Sequence, residues 1–306
     1  ATGTASRSTA PCTPTTDGMP RTTQGGIVLA ESEPPSRRRR GLGRILVTVV
    51  VVAVVVAGYF GIRGLLAVPH SETCVATADG GSAQLVPEQA SNAAVIAAVA
   101  VRRGLPSRAA TIAIATAMQE SKLRNLRFGD RDSIGLFQQR PSQGWGTEAQ
   151  ILDPVYAAGA FYDALVKVKD YQTRPLTEVA QEVQRSAYPT AYARHEAEAR
   201  ALAAAFTGTA PAALTCDLDP PSKAGSPAAV VAALGDHTGV SGQVAGSTVT
   251  AELPAARAWG VAAWAVAHAE TLGVTSVTVA DRTWSRETGT WTSSPARPGV
   301  TISLGT

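Results

Sequence analysis

Glu120 is the residue of this chain best placed by its surroundings to move a proton. It closes the apolar helical run Thr111 to Ser121, TIAIATAMQES, in which Ile112, Ala113, Ala115, Ala117 and Met118 face inward. A carboxyl group in the last turn of a buried helix stands against apolar neighbours and near the negative end of the helix dipole. Both disfavour its ionised form. A carboxyl that holds its proton near neutral pH is what protonation of a leaving oxygen requires. A polar, Gly-containing stretch follows, and then the compact cluster Ser133-Ile134-Gly135-Leu136-Phe137-Gln138. Asp130 and Asp132 are the acids nearest to it. With Arg131 between them they read as a solvated turn or as a second catalytic acid. Taken alone, Glu120 reads first as an exposed helix end, since most acids are solvated.

Glu120-Ser121, then the cluster 133–138, then Ala187-Tyr188 together resemble the three signatures of the soluble lytic transglycosylase family, which read ES, GLMQ and AYN. As in that family, a helix lies between the last two, here Asp153-Pro154 through Phe161-Tyr162. The resemblance covers roughly residues 85–207 and implies a lysozyme-like fold acting on peptidoglycan glycan strands. It implies that Glu120 is the sole catalytic acid and base. Ser133, Gly135, Phe137 and Gln138 would line the cleft and position sugar, and Tyr188 would hydrogen-bond near Glu120 or the reacting ring. The bond cut would join N-acetylmuramic acid to N-acetylglucosamine. Two departures stand out: Phe137 where the family has Met, and Pro189 where it has Asn. The second removes an amide and bears on substrate affinity more than on the acid. Trp145 is a candidate to stack on sugar or to anchor its loop. A muramidase of the same fold and a catalytically weak peptidoglycan-binding scaffold are the competing readings.

The elements that must position these residues are helical. After a Gly/Ser linker around Gly80-Gly81-Ser82, Ser91 caps a helix through Arg103, Gly104 stops it, and Pro106-Ser107 opens the helix that ends at Glu120. Residues 122–145 are Gly-punctuated and read as a loop. Further helices start at Asp153-Pro154, at Pro175 and at Ala191. The expected fold is therefore a mainly α lysozyme-like domain over residues 69–216.

Upstream, residues 1–44 are rich in Thr, Ser, Pro and Arg and read as a disordered basic arm. Met19 is a candidate initiator, which leaves the origin of residues 1–18 open. Ile45–Ile62 carries no charge, so residues 45–68 read as a single transmembrane helix. The arginines precede this run, which puts the N-terminus in the cytoplasm and the later domains outside the cell membrane. The formal charge of the 306 residues is +3; seven Arg and three acids give residues 1–44 a net of +4, leaving −1 for the rest. A near-neutral body with one basic arm is not the footprint of a nucleic-acid binder.

Cys74 and Cys216 flank the region of resemblance. In an oxidising exterior they pair and tie the domain's ends together; otherwise they are two free thiols. Four dispersed His give no zinc spacing, and no metal or cofactor is expected. Residues 217–225, DLDPPSKAG, read as a linker to a small α+β domain over residues 226–306. Its elements follow the order helix, strand, helix and three strands, with a hairpin turning at Glu287-Thr288-Gly289. Trp284 and Trp291 mark either a binding surface or the hairpin's buried face. This domain's role is not legible beyond a scaffold or a site for a protein partner in the cell envelope.

Overall fold

A computed structural model describes residues 37–65, 71–184 and 191–305, with side chains omitted for 37–43 and 60–65. The chain divides into two compact units, residues 1–68 and 69–306.

In the first unit the described element is helix α1 (Arg37–Leu65). It takes up Arg37 to Arg44, the end of the stretch expected to be disordered; the rest of that stretch lies outside the described residues. The expected transmembrane helix over residues 45–68 is corrected: among the described residues no helix is long and apolar enough to cross a membrane. The single-pass localisation, with its cytoplasmic N-terminus and outside domains, loses its support with that helix.

The second unit is mixed α/β with two antiparallel sheets, where a mainly α domain over residues 69–216 and a separate small α+β domain over residues 226–306 were expected. The first correction lies at its start. The supposed linker is a hairpin of β1 (Thr73–Ala78) and β2 (Gly81–Leu85). Asp79 and Gly80 both have positive φ, at 52° and 74°, the two-residue turn that matches the twist of paired strands. Cys74 and Ala76 alternate inward on β1, and Ala83 and Leu85 do so on β2. On its other edge β1 pairs with β3 (Leu214–Asp217), with Cys74 opposite Cys216, and these two form the disulfide.

Between β2 and β3 run the helices. α2 (Pro87–Arg102) and α3 (Ser107–Ser121) are packed by alanines and β-branched side chains, and α3 lies against α7 (Glu196–Phe206). The short α4 (Glu148–Ile151), then α5 (Pro154–Leu165) and α6 (Leu176–Gln184), close the far side. Asp153 caps α5 by accepting from the N–H of Val155 at 2.9 Å. The buried Tyr162 hydroxyl donates to the carbonyl of Ile96 at 2.9 Å, tying α5 to α2.

Beyond β3 come α8 (Pro227–Thr238), β4 (Gln243–Ala245), β5 (Thr248–Ala251), α9 (Ala255–Ala267), α10 (Ala269–Leu272), β6 (Val274–Ser285) and β7 (Thr290–Leu304). The sheet order is β4-β5-β7-β6. Residues 217–225 do not separate a second body from the first. Helix α9 packs on α2, α7 and β3 as well as on its own sheet, and residues 69–306 form one unit. Trp284 is fully buried, and Trp291 donates its indole N–H to the carbonyl of Leu214 at 2.7 Å. Both rings belong to the packing.

Candidate active site

Glu120 occupies the last turn of α3, half-buried, and the chain fixes that turn from three sides. Lys122 and Leu123 follow it with φ of 55° and 58°, conformations that cost a non-glycine residue energy unless its neighbours hold it. Here α2 holds them: Gln89 Nε2 donates to the carbonyl of Lys122 and Asn92 Nδ2 to that of Leu123, each at 2.8 Å. Ser121 is the second tie. Its buried hydroxyl lies 2.7 Å from the carbonyl of Leu136 and accepts from the N–H of Arg124 at 3.2 Å. The helix end is thereby joined to the 133–138 cluster.

The third tie comes from the approach to α7. Tyr192, with no exposed surface, donates its hydroxyl to Glu120 Oε1 at 2.6 Å. Two residues on, Arg194 Nη2 donates to Gln119 Oε1 at 2.8 Å. A short hydroxyl–carboxylate bond from a packed ring leaves Glu120 little freedom to rotate.

The cluster itself is a tight turn. Ile134 and Gln139 exchange two backbone hydrogen bonds at 3.0 Å. At Gly135, with φ of +78°, a Cβ would lie 2.7 Å from the carbonyl oxygen of Ile151, so only glycine fits. Ile134, Leu136 and Phe137 point into the core, and Phe137 stacks on Phe161 at 4.7 Å between ring centres. Its carbonyl accepts from Gln184 Nε2 at 2.7 Å. Gln138, at φ of 48°, folds its amide back toward the carbonyls of Gly135 and Phe128, at 3.2 and 3.4 Å.

The result is a cleft of about 320 Å3 lined by amides, acids and hydroxyls, with Glu120, Ser133 and Gln138 among its walls. Of the residues singled out in the sequence, Glu120, Asp130, Ser133, Gln138 and Trp145 line it together. Gly135 and Phe137 stand behind them as support. Tyr188 and Pro189 lie outside the described residues. Sequence reasoning missed Tyr192, Gln184 and Arg140. The signal for Tyr192 was there, since Ala-Tyr occurs at 187–188 and again at 191–192. Trp145 lines the cleft and also packs against the core.

The two neighbouring acids separate by environment. Asp132 takes hydrogen bonds from the side chain and N–H of Ser142 and from Arg140 Nε, the last at 2.6 Å. They hold its carboxyl well below the usual carboxylate range. It is a fixed anion that shapes the loop and does not donate a proton. Asp130 lines the cleft but is almost fully exposed. The arrangement suits proton transfer between one anchored carboxyl group and an oxygen of a polar, extended ligand. No model of a known protein family matches the chain, and comparison with curated proteins finds no match.

Proposed function

We propose that this protein cleaves the glycan strands of peptidoglycan as a lytic transglycosylase, with Glu120 as its one acid and base. The observation that carries the reading is the Tyr192–Glu120 hydrogen bond at the wall of a polar cleft. The neighbouring Asp132 is committed elsewhere, which leaves Glu120 as the anchored carboxyl.

Glu120 gives its proton to the oxygen linking N-acetylmuramic acid to N-acetylglucosamine, and the bond from C1 to that oxygen breaks. The substrate's own N-acetyl oxygen stabilises the positive charge at C1, so no enzyme nucleophile is required. The Glu120 carboxylate then takes the proton of the 6-hydroxyl of the same ring. Oxygen O6 bonds to C1, leaving a 1,6-anhydro end, and no water is consumed. Asp130 supports a second outcome on the same scaffold: an exposed carboxylate in the cleft that holds a water would give a muramidase and a reducing end.

The test is incubation of the full chain with purified peptidoglycan, followed by mass spectrometry of the released fragments. Anhydro products are expected, with release falling about 10²–10⁴-fold in Glu120→Gln, the range for losing a general acid. Water-added products that vanish in Asp130→Asn would move the reaction to hydrolysis. Equal release by wild type and Glu120→Gln would sink the assignment of the acid.

A further inference from the structure

A second cavity, of about 450 Å3, opens beside the Glu120 cleft. Gln143, Trp145 and Gln184 line both, so the two are compartments of one groove with a common wall. Trp145 is set firmly in that wall. Gly146 beside it has φ of +136°, and a Cβ there would meet the Tyr156 ring at 2.8 Å. Only glycine lets the loop press against Tyr156 and hold the indole in place.

The two compartments differ in chemistry. Around Glu120 the walls are amides, hydroxyls and charged groups, suited to sugar hydroxyls. Beyond Trp145 they include Ala164, Val168 and Val183, with Lys167 and Glu182 at the sides. Glu182 is engaged by Arg174 at 2.9 Å, whereas Lys167 makes no ion pair among the described residues. The pocket is mixed, with three aliphatic side chains and one uncommitted cation among polar groups. It matches a short chain that carries methyl groups and a carboxylate.

We infer that the second compartment receives the peptide substituent of the sugar beside the scissile bond, and that Lys167 pairs with a carboxylate of that peptide. This inference rests on the reading of the cleft as a peptidoglycan site. Trp145 then stands between glycan and peptide, one face toward each. The protein selects strands that still carry their peptides over strands from which these have been removed.

Calorimetry on the full-length Glu120→Gln protein tests this without turnover. The probes are a peptide-bearing peptidoglycan tetrasaccharide and the same tetrasaccharide stripped of peptide. The peptide-bearing probe should bind about tenfold more tightly, in line with a charge-assisted contact plus aliphatic burial. Adding Lys167→Glu should bring the two affinities to within about twofold, and adding Lys167→Arg should keep most of the preference. Lys167 is exposed, so neither change threatens folding. Equal affinities in the Glu120→Gln protein, or a preference that survives Lys167→Glu, would overturn the inference. If both probes bind with the expected preference while wild type releases no product, the catalytic reading fails and the peptide site stands. If neither probe binds, both fail.

Discussion

Tyr192 and Glu120 form a unit in which the ring gives position and the hydroxyl gives direction. Replacing Tyr192 by Phe keeps the buried ring and removes the donor to Glu120 Oε1. On the proposed reaction the cleft walls are untouched, so KM for glycan should stay within about twofold while kcat falls about tenfold, the pattern of a lost alignment. Thermal unfolding should shift by about 1 kcal/mol, the value of one hydrogen bond. Steady-state kinetics on soluble strands separate the two effects; a change confined to KM would mean that Tyr192 touches substrate instead. At this scale the acid was legible and its partner was not. Glu120 stands out locally, where an apolar period stops at a carboxyl. Which of two Ala-Tyr pairs supplies a hydroxyl depends on how the chain returns after α6, and only the folded backbone shows that Tyr192 reaches the acid. The helix end is legible in the same partial way. Ser121 was visible beside Glu120, but its bond to Leu136, and the hold of Gln89 and Asn92 on the next two carbonyls, join residues far apart in sequence.

Among the elements, several helix starts followed from the sequence because their signals are local: Pro106-Ser107 opening α3, Asp153-Pro154 opening α5, Ser226-Pro227 opening α8; α2 instead begins at Pro87, ahead of the expected cap Ser91, and α7 at Glu196, after the expected start at Ala191. The strands were read unevenly: β5, β6 and the two ends of β7 were expected, while β1, β2 and the unbroken run of β7 escaped for two physical reasons. In β1 and β2 the inward side chains are mostly small, so the alternation is faint and Gly80-Gly81-Ser82 resembles a linker. In β7 the prolines at 295 and 298 suggest a break. Over that half β7 pairs with β6 alone, since β5 joins only at Val300–Ser303. A strand with one free edge can place a missing N–H there. The first sheet depends on a partner that arrives late in the chain, β3, and the Cys74–Cys216 bond fixes that pairing across 142 positions. A loop of that length is where cross-linking restrains the unfolded chain most, by about 5 kcal/mol in the chain-entropy description. The Cys74→Ala/Cys216→Ala protein should therefore unfold with about 2–5 kcal/mol less stability. Chemical denaturation of this variant beside wild type, with and without reductant, measures it. A variant as stable as oxidised wild type would mean that the β1–β3 pairing holds without the bond.

For the second unit as a whole, α9 is the member shared by the helices on one side and the four-stranded sheet on the other. Just past its end the buried His268 sets its ring 4.5 Å from Trp264 and 5.3 Å from His237, and its Nδ1 lies 2.8 Å from the Trp264 carbonyl. Trp264 in turn donates its indole N–H to His237 Nδ1 at 3.1 Å. Burial pushes the His268 imidazole down to about 3; the Trp264 carbonyl opposes this to a degree and His237 adds to it. The unfolded chain takes up this proton near pH 6.5, whereas the folded protein resists it until about pH 3. Between these values the unfolded state binds more protons, so stability is full above about pH 6.5 and falls as the pH drops through the window. The slope from one such histidine approaches about 1.4 kcal/mol per pH unit. His237 is lowered in the same direction, by burial first and against the pull of Asp236, and adds a smaller loss. Denaturation midpoints of wild type between pH 7.5 and 4.5 should decline with this slope. The His268→Gln protein keeps an N–H for the Trp264 carbonyl and cannot titrate, so its decline should be shallower, leaving the share due to His237 and the carboxylates. Parallel curves for the two proteins would place the acid sensitivity outside the α9 core.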